Sequence, residues 1–278
     1  MEMAPVTRPP FACRSLLFVP GARPDRFAKA LATAADIVCI DLEDAVLPDQ
    51  KAAAREAVSS YLAGLDAATA RRMAVRINGV TTLEGLKDLA ALAGRAPATV
   101  LLPKTETPRD IEIVTAALGD VGVLPLVETV RGLRAADEIA AAPGTTALMF
   151  GGADFAAEIG ATMDFEPLLA IRQALVLAAA GAQRPLIDVP HVRIKELDHL
   201  ATEAARVATL GFTGKAAIHP TQVDPINAAF SPSAAEVERA RAVIETFRTK
   251  GVAQLDGEFV EGPIVRRYER ILALADHT

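Results

Sequence analysis

Tryptophan is absent from the 278 residues, and aromatics make up only 4% of them. A chain so poor in flat side chains has little with which to stack bases or sugar rings. Basic residues are outnumbered, 29 Lys and Arg against 35 Asp and Glu, for a formal net charge of −6. That balance argues against a general nucleic-acid binder, which needs a basic face. Cysteine occurs only at Cys13 and Cys39, with neither metal-ligand spacing nor a disulfide framework. Cys39 lies in an apolar run and is expected to be a buried thiol, which fits a reducing cytoplasm. No eighteen-residue apolar run occurs, and the N-terminus MEMAPVTRPPFACR lacks the charged-then-apolar order of a signal peptide. The expectation is a soluble, unexported protein with no membrane partner. No Gly-x-Gly-x-x-Gly turn follows the first strand either, which weakens the case for a dinucleotide-binding sheet.

What is present is an alternation. Half the residues are apolar, enough for one large barrel or two small domains. Short apolar runs predict strands at Ser15–Val19, Ile37–Leu42, Ala74–Ile77, Val100–Leu102, Val123–Val127, Ala147–Phe150, Leu186–Val189 and Ala216–Ile218. Between them, three- and four-residue apolar spacing predicts helices, among them Phe27–Leu31, Lys51–Leu62, Leu83–Leu92, Ile111–Leu118, Leu133–Ala141, Leu168–Ala179 and Leu197–Leu210. Thr107-Pro108 and Ser233-x-x-Glu236 are helix-start signals. Eight strands, each followed by a helix, predict a (β/α)8 TIM barrel, with an open doubly wound sheet as the alternative. Residues 1–278 read as one barrel domain in which 231–278 is a C-terminal helical extension. That extension comprises a helix over Ala235–Phe247, a Gly-marked excursion from Gly251 to Pro263, and a final helix from Ile264.

The strand ends differ in polarity from their interiors. They carry Arg23, Asp41-Leu42-Glu43-Asp44, Arg76, Lys104, Glu106, Glu128, Asp154, Asp188 and His219. A barrel gathers such ends on the face where barrel enzymes keep their active sites. Some of them could simply cap helices, as Thr129 or Asp154 could, but capping does not call for Arg76, Lys104 or His219. Glu128 and Asp154 follow consecutive strands and would converge, in a geometry that suits a hard divalent cation such as Mg2+. Alternation in Met73–Asn78 puts Ala74 and Arg76 on one face. A guanidinium at a barrel mouth needs an anion. A substrate carboxylate is one candidate, and an ion pair with Glu43, Asp44 or Glu128 is the other.

Seven short motifs occur in one order: Arg14-Ser-Leu-Leu-Phe-Val-Pro-Gly21, Asp41-Leu-Glu-Asp44, Arg76-Ile-Asn78, Leu102-Pro-Lys-Thr-Glu106, Leu126-Val-Glu-Thr129, Gly151-Gly-Ala-Asp154 and Ala217-Ile-His-Pro220. Together, from about Arg14 to Arg270, they resemble the citrate lyase β-subunit-like group of the HpcH/HpaI aldolase superfamily, which includes malyl-CoA and citramalyl-CoA lyases. The resemblance implies a (β/α)8 barrel, a homo-oligomer (trimer or hexamer), that uses Mg2+ to break or form a carbon–carbon bond in a 3-hydroxyacyl thioester of coenzyme A. It implies Glu128 and Asp154 as metal ligands and Arg76 as the group that holds the keto-acid carboxylate. Phe18, Arg23 and Lys29 match a stretch that contacts the nucleotide of coenzyme A, and His219 matches a position at the substrate pocket. Glu43, in the densest acidic cluster, is expected to steady the waters of the metal. In the lyases an aspartate in the C-terminal excursion acts in proton transfer across a subunit boundary, and here Glu261 stands in its place. Two alternatives stay open, the first of them motivated by that departure. One is a thioesterase on the same esters, and the other is a β-type subunit that acts on an acyl-carrier-protein thioester.

Overall fold

The computed structural model describes residues 13–275, so the signal-peptide reading of the first residues and His277 both lie outside it. Eight strands form the frame: β1 Ser15–Pro20, β2 Ile37–Asp41, β3 Met73–Arg76, β4 Thr99–Leu102, β5 Gly122–Val127, β6 Leu148–Phe150, β7 Leu186–Asp188 and β8 Gly214–Ala217. Each pairs in parallel with the next, and β8 returns to β1 in the register Ser15–Lys215, Leu16–Ala216, Leu17–Ala217. That closure excludes the open sheet. The structure is a (β/α)8 barrel.

Side-chain alternation decides what each strand contributes. The barrel interior is filled by Leu16, Ile37, Cys39, Ala74, Leu101, Leu124, Leu126, Met149, Ile187 and Ala216, with Phe18 partly buried against them. Their sequence neighbours Leu17, Val38, Ile40, Val75, Val100 and Val123 pack outward beneath the helices. A period of two then dictates the mouth. Asp41 follows Cys39 on the inner side, Arg76 follows Ala74, and Glu128 follows Leu126. Continuous apolar strands are affordable because both faces are covered.

The same parity corrects the reading of Asp188 as part of the mouth. It points outward from β7, where its carboxylate accepts from Arg172 Nε at 2.9 Å and Lys215 Nζ at 2.6 Å. All three residues are buried. This is a buried ion network, which Lys215 extends to Glu203 at 2.6 Å, and removing one partner would cost about 3–5 kcal/mol by leaving buried charge unpaired.

Several elements escape the sequence reading, among them a helix after β6 and a C-terminal hairpin. A helix, Gly152–Ile159, starts directly after β6, so Asp154 sits in its first turn and not on the strand end itself. In the C-terminal region the helix Ala234–Lys250 is capped by Ser233 and Glu236 as expected. It is followed by an antiparallel hairpin, β9 Ala253–Leu255 with β10 Glu258–Val260, and then the helix Gly262–Ala275. Asp256 and Gly257 turn the hairpin with φ of +49° and +84°, the conformation that an Asp-Gly pair favours. Ala240, Val243, Val260, Val265 and Tyr268 form a small core of their own there.

Candidate active site at the barrel mouth

The loop after β2 is built first, because it carries three acids. The Asp41 carboxylate accepts from the backbone N–H of Glu43 at 2.8 Å and of Ala45 at 3.1 Å, folding the chain back on itself. Lys51 clamps the same loop from below, donating to Leu42 O, Glu43 O and Asn78 Oδ1. Glu43 is thereby fixed at the mouth, mostly buried.

Arg76 reaches this loop across the β2–β3 register, where Asp41 and Arg76 are partners. Its Nε donates to Asp41 Oδ1 at 2.7 Å and its Nη2 to Asp41 Oδ2 at 2.6 Å. One edge of the fork is therefore spent on a structural pair, as one of the two sequence readings allowed, with Asp41 as the main partner. Nη1 lies 3.0 Å from Glu43 Oε2 and 3.6 Å from Asp44. The first of these contacts is off the hydrogen-bond direction, so the buried Glu43 Oε2 accepts no bond. The Phe18 ring lies under the guanidinium at 5.1 Å, which stiffens it further. The outer edge, Nη1 and Nη2, keeps donors for a ligand.

Lys104 joins the remaining acids. It holds a left-handed φ of +49°, which turns its backbone N–H onto Glu128 Oε1 at 2.7 Å. Its ammonium stands 3.6 Å from Glu43 Oε1 and 3.6 Å from Asp154 Oδ2. One residue thus touches Glu43, Glu128 and Asp154. Burial, and then repulsion by Glu43, pushes the Glu128 carboxyl up to about 8. Burial, against the pull of Arg76, pushes Glu43 up to about 7. Gly151 presses on the same group. A Cβ added there would sit 2.6 Å from Glu128 Oε2, so only glycine leaves the carboxylate its place.

Five carboxylates, of Asp41, Glu43, Asp44, Glu128 and Asp154, meet two cations in this cluster. Fully ionised, they leave a surplus of three negative charges. The carboxylate donors gathered there are all oxygen, and one of them, Glu43 Oε2, is buried with an ion pair to Arg76 but no hydrogen bond. That set suits a hard divalent cation. A cleft of about 770 Å3 opens beside it, lined by Glu43, Asp44, Lys51, Asn78, Lys104 and Thr129 among others.

The other predicted residues are placed differently. Arg23 is exposed and pairs with Asp25 through two bonds of 2.9 Å, and Lys29 is exposed on the helix Phe27–Leu31. Both follow β1 at the rim and not within the acid cluster, whereas Phe18 belongs to the mouth beneath Arg76. His219 is exposed at the end of β8, where its Nδ1 caps the short helix Pro220–Gln222. Glu261 precedes the C-terminal helix, beside the small core of that region. Thr129 is a cap in fact, accepting from Gly132 N at 3.0 Å. Lys104 was placed at the mouth by the sequence but given no role there. Its signal was a lysine in the turn just past a strand, next to Pro103.

The chain matches the family described as HpcH/HpaI aldolase/citrate lyase over residues 14–220. It belongs to that family. It is 36% identical over 272 residues to the (3S)-malyl-CoA thioesterase of Cereibacter sphaeroides, covering 95% of this chain and 94% of the relative. It is 38% identical over 267 residues to a citrate lyase subunit beta-like protein of Mycobacterium tuberculosis, covering 93% and 94%. The fold superposes on the crystal structure of CitE from Mycobacterium tuberculosis, in complex with magnesium, acetoacetate and coenzyme A. The TM-score is 0.85 at 36% identity, with 95% of this chain and 98% of that one covered. In this chain the acid-lined barrel mouth lies within the matched residues 14–220, and the C-terminal hairpin lies beyond them.

Proposed function

We propose that this chain is a Mg2+-dependent carbon–carbon lyase that cleaves a short 3-hydroxyacyl-CoA, of the malyl-CoA or citramalyl-CoA type, to acetyl-CoA and a 2-keto acid. The observation that carries the reading is the contact of Lys104 with Glu43, Glu128 and Asp154, a carboxylate cluster whose surplus charge calls for a cation. Glu128 and Asp154 would hold Mg2+, which supplies Lewis-acid polarisation of the oxygen that becomes the keto group. The free edge of Arg76 binds the substrate carboxylate, held in orientation by Asp41 and Phe18. Glu43, with its carboxyl pushed up to about 7, can exchange a proton near neutral pH. The ammonium of Lys104 faces the mouth and can favour the enolate oxygen of the departing thioester. Arg23 and Lys29, exposed beside β1, would meet the phosphates of coenzyme A. On this reading the enzyme is a cytoplasmic homo-oligomer, a trimer or hexamer, in which Glu261 comes to the mouth from a neighbouring copy.

A second reading has a specific support. The Cereibacter sphaeroides relative is named as a thioesterase, and the same cluster could direct water at the thioester carbonyl. A third is a β-type subunit working on an acyl-carrier-protein thioester. Mass spectrometry on the purified chain with Mg2+ and malyl-, citramalyl- and citryl-CoA separates them. The lyase yields acetyl-CoA together with a keto acid. Free CoA with intact hydroxy acid would establish the thioesterase instead, and no turnover of any CoA ester would favour the carrier-bound substrate.

A further inference from the structure

The loop that follows β7 carries a second group of ligand-type side chains, none of which belongs to the acid cluster around Lys104. His191 lies in that loop, and Glu196 and His199 lie at the start of the helix Leu197–Leu210. One ligand atom from each of the three lies within 4.8 Å of the other two. Glu196, His199 and Glu203 fall at positions i, i+3 and i+7, so the helix turns all three to one side. The rings of His191 and His199 face each other with centroids 5.0 Å apart.

His191 supplies the independent observation. It is only 5% exposed, and its Nε2 is buried with no hydrogen-bond partner. A buried ring nitrogen without a partner is uncommon and calls for a ligand. The other nitrogen is accounted for, since Nδ1 lies 3.4 Å from Glu203 Oε2. Glu203 is itself held by the buried Lys215, whose Nζ is 2.6 Å from Glu203 Oε1 and also bonds Asp188. The His191 backbone carbonyl accepts from Gln222 Nε2 at 2.8 Å. A carboxylate on one imidazole nitrogen with the other left free is the arrangement that orients a metal-binding histidine. Glu196 shares Oε2 with the exposed Arg193 at 2.7 Å, which leaves Oε1 for a ligand.

We propose that His191, Glu196 and His199 form a second cation site. It would take a borderline divalent ion of the Zn2+ class, with a water completing four-coordination. Two imidazoles and one carboxylate suit Zn2+, Co2+ or Ni2+, whereas Mg2+ prefers an all-oxygen set. The ion would pin the β7 loop to its helix. Occupancy requires nothing of the mouth, so the site stands whether or not the lyase reading does.

The test is calorimetric titration of Zn2+ into chelator-treated full-length protein with Mg2+ in excess, alongside the visible spectrum of added Co2+. The expected result is one equivalent of Zn2+ bound and tetrahedral Co2+ bands. Both should weaken by about tenfold or more in His199→Ala, an exposed position whose variant should fold. Glu128→Gln should bind Zn2+ as the parent does. No Zn2+ retained against excess Mg2+ would overturn the proposal, as would unchanged binding by His199→Ala. Loss in Glu128→Gln with retention in His199→Ala would instead assign the ion to the mouth.

Discussion

The backbone N–H of Lys104 donates to Glu128 Oε1 at 2.7 Å, so the residue that brings a cation to the mouth also orients the acid expected to bind metal. The positive φ of Lys104 is what makes both contacts possible at once. Arg76 is organised in the same way, with one edge of its fork spent on Asp41 to fix the other.

Lys104→Met should separate the two roles of that residue. The backbone bond to Glu128 persists, but an ammonium that competes with a divalent ion is gone. At low salt, removing one positive charge several ångströms from the site should tighten Mg2+ by about tenfold. Turnover should fall by about tenfold or more as the enolate loses its partner. Calorimetry and steady-state kinetics check both, and weaker Mg2+ binding would contradict the account.

Gly151→Ala tests the packing behind Glu128. The added methyl would overlap the carboxylate, so the side chain must move away from Lys104 N. The expected outcome is a folded protein destabilised by about 1–3 kcal/mol in urea, with Mg2+ affinity sharply reduced. Unchanged affinity would mean that Glu128 does not hold the ion.

The raised acids predict a pH signature. Glu128 and Glu43 keep protons in the folded chain, at about 8 and about 7, that the unfolded chain loses near 4.5. The folded state therefore binds more protons across that window, and metal-free stability falls as pH rises from about 5 to 8. Mg2+ replaces those protons, so in excess Mg2+ the fall should flatten and metal binding should release protons at pH 7. Thermal melts across pH, with and without Mg2+, read the difference.

Much of this was legible beforehand, for identifiable reasons. All eight barrel strands lie within two residues of their expected bounds, because a strand buried on both faces is a continuous apolar run. Arg76 was legible because period two puts it on the face of Ala74, and Glu128 and Glu43 because acids that close apolar runs fall at the mouth. Asp188 misled because parity on a three-residue strand is invisible until its register is known. The helix Gly152–Ile159 was hidden behind two glycines, and the Asp256-Gly257 hairpin behind strands of only three residues. The reach of the Lys104 ammonium depends on a left-handed backbone that no pattern in the sequence announces.

Calorimetric titration of Mg2+ into the parent chain, Glu128→Gln and Asp154→Asn, each with circular dichroism to show the fold intact, addresses the central claim most directly. A single site is expected in the parent, weakened by at least about tenfold in each variant. Mg2+ bound as tightly by both folded variants as by the parent would contradict it.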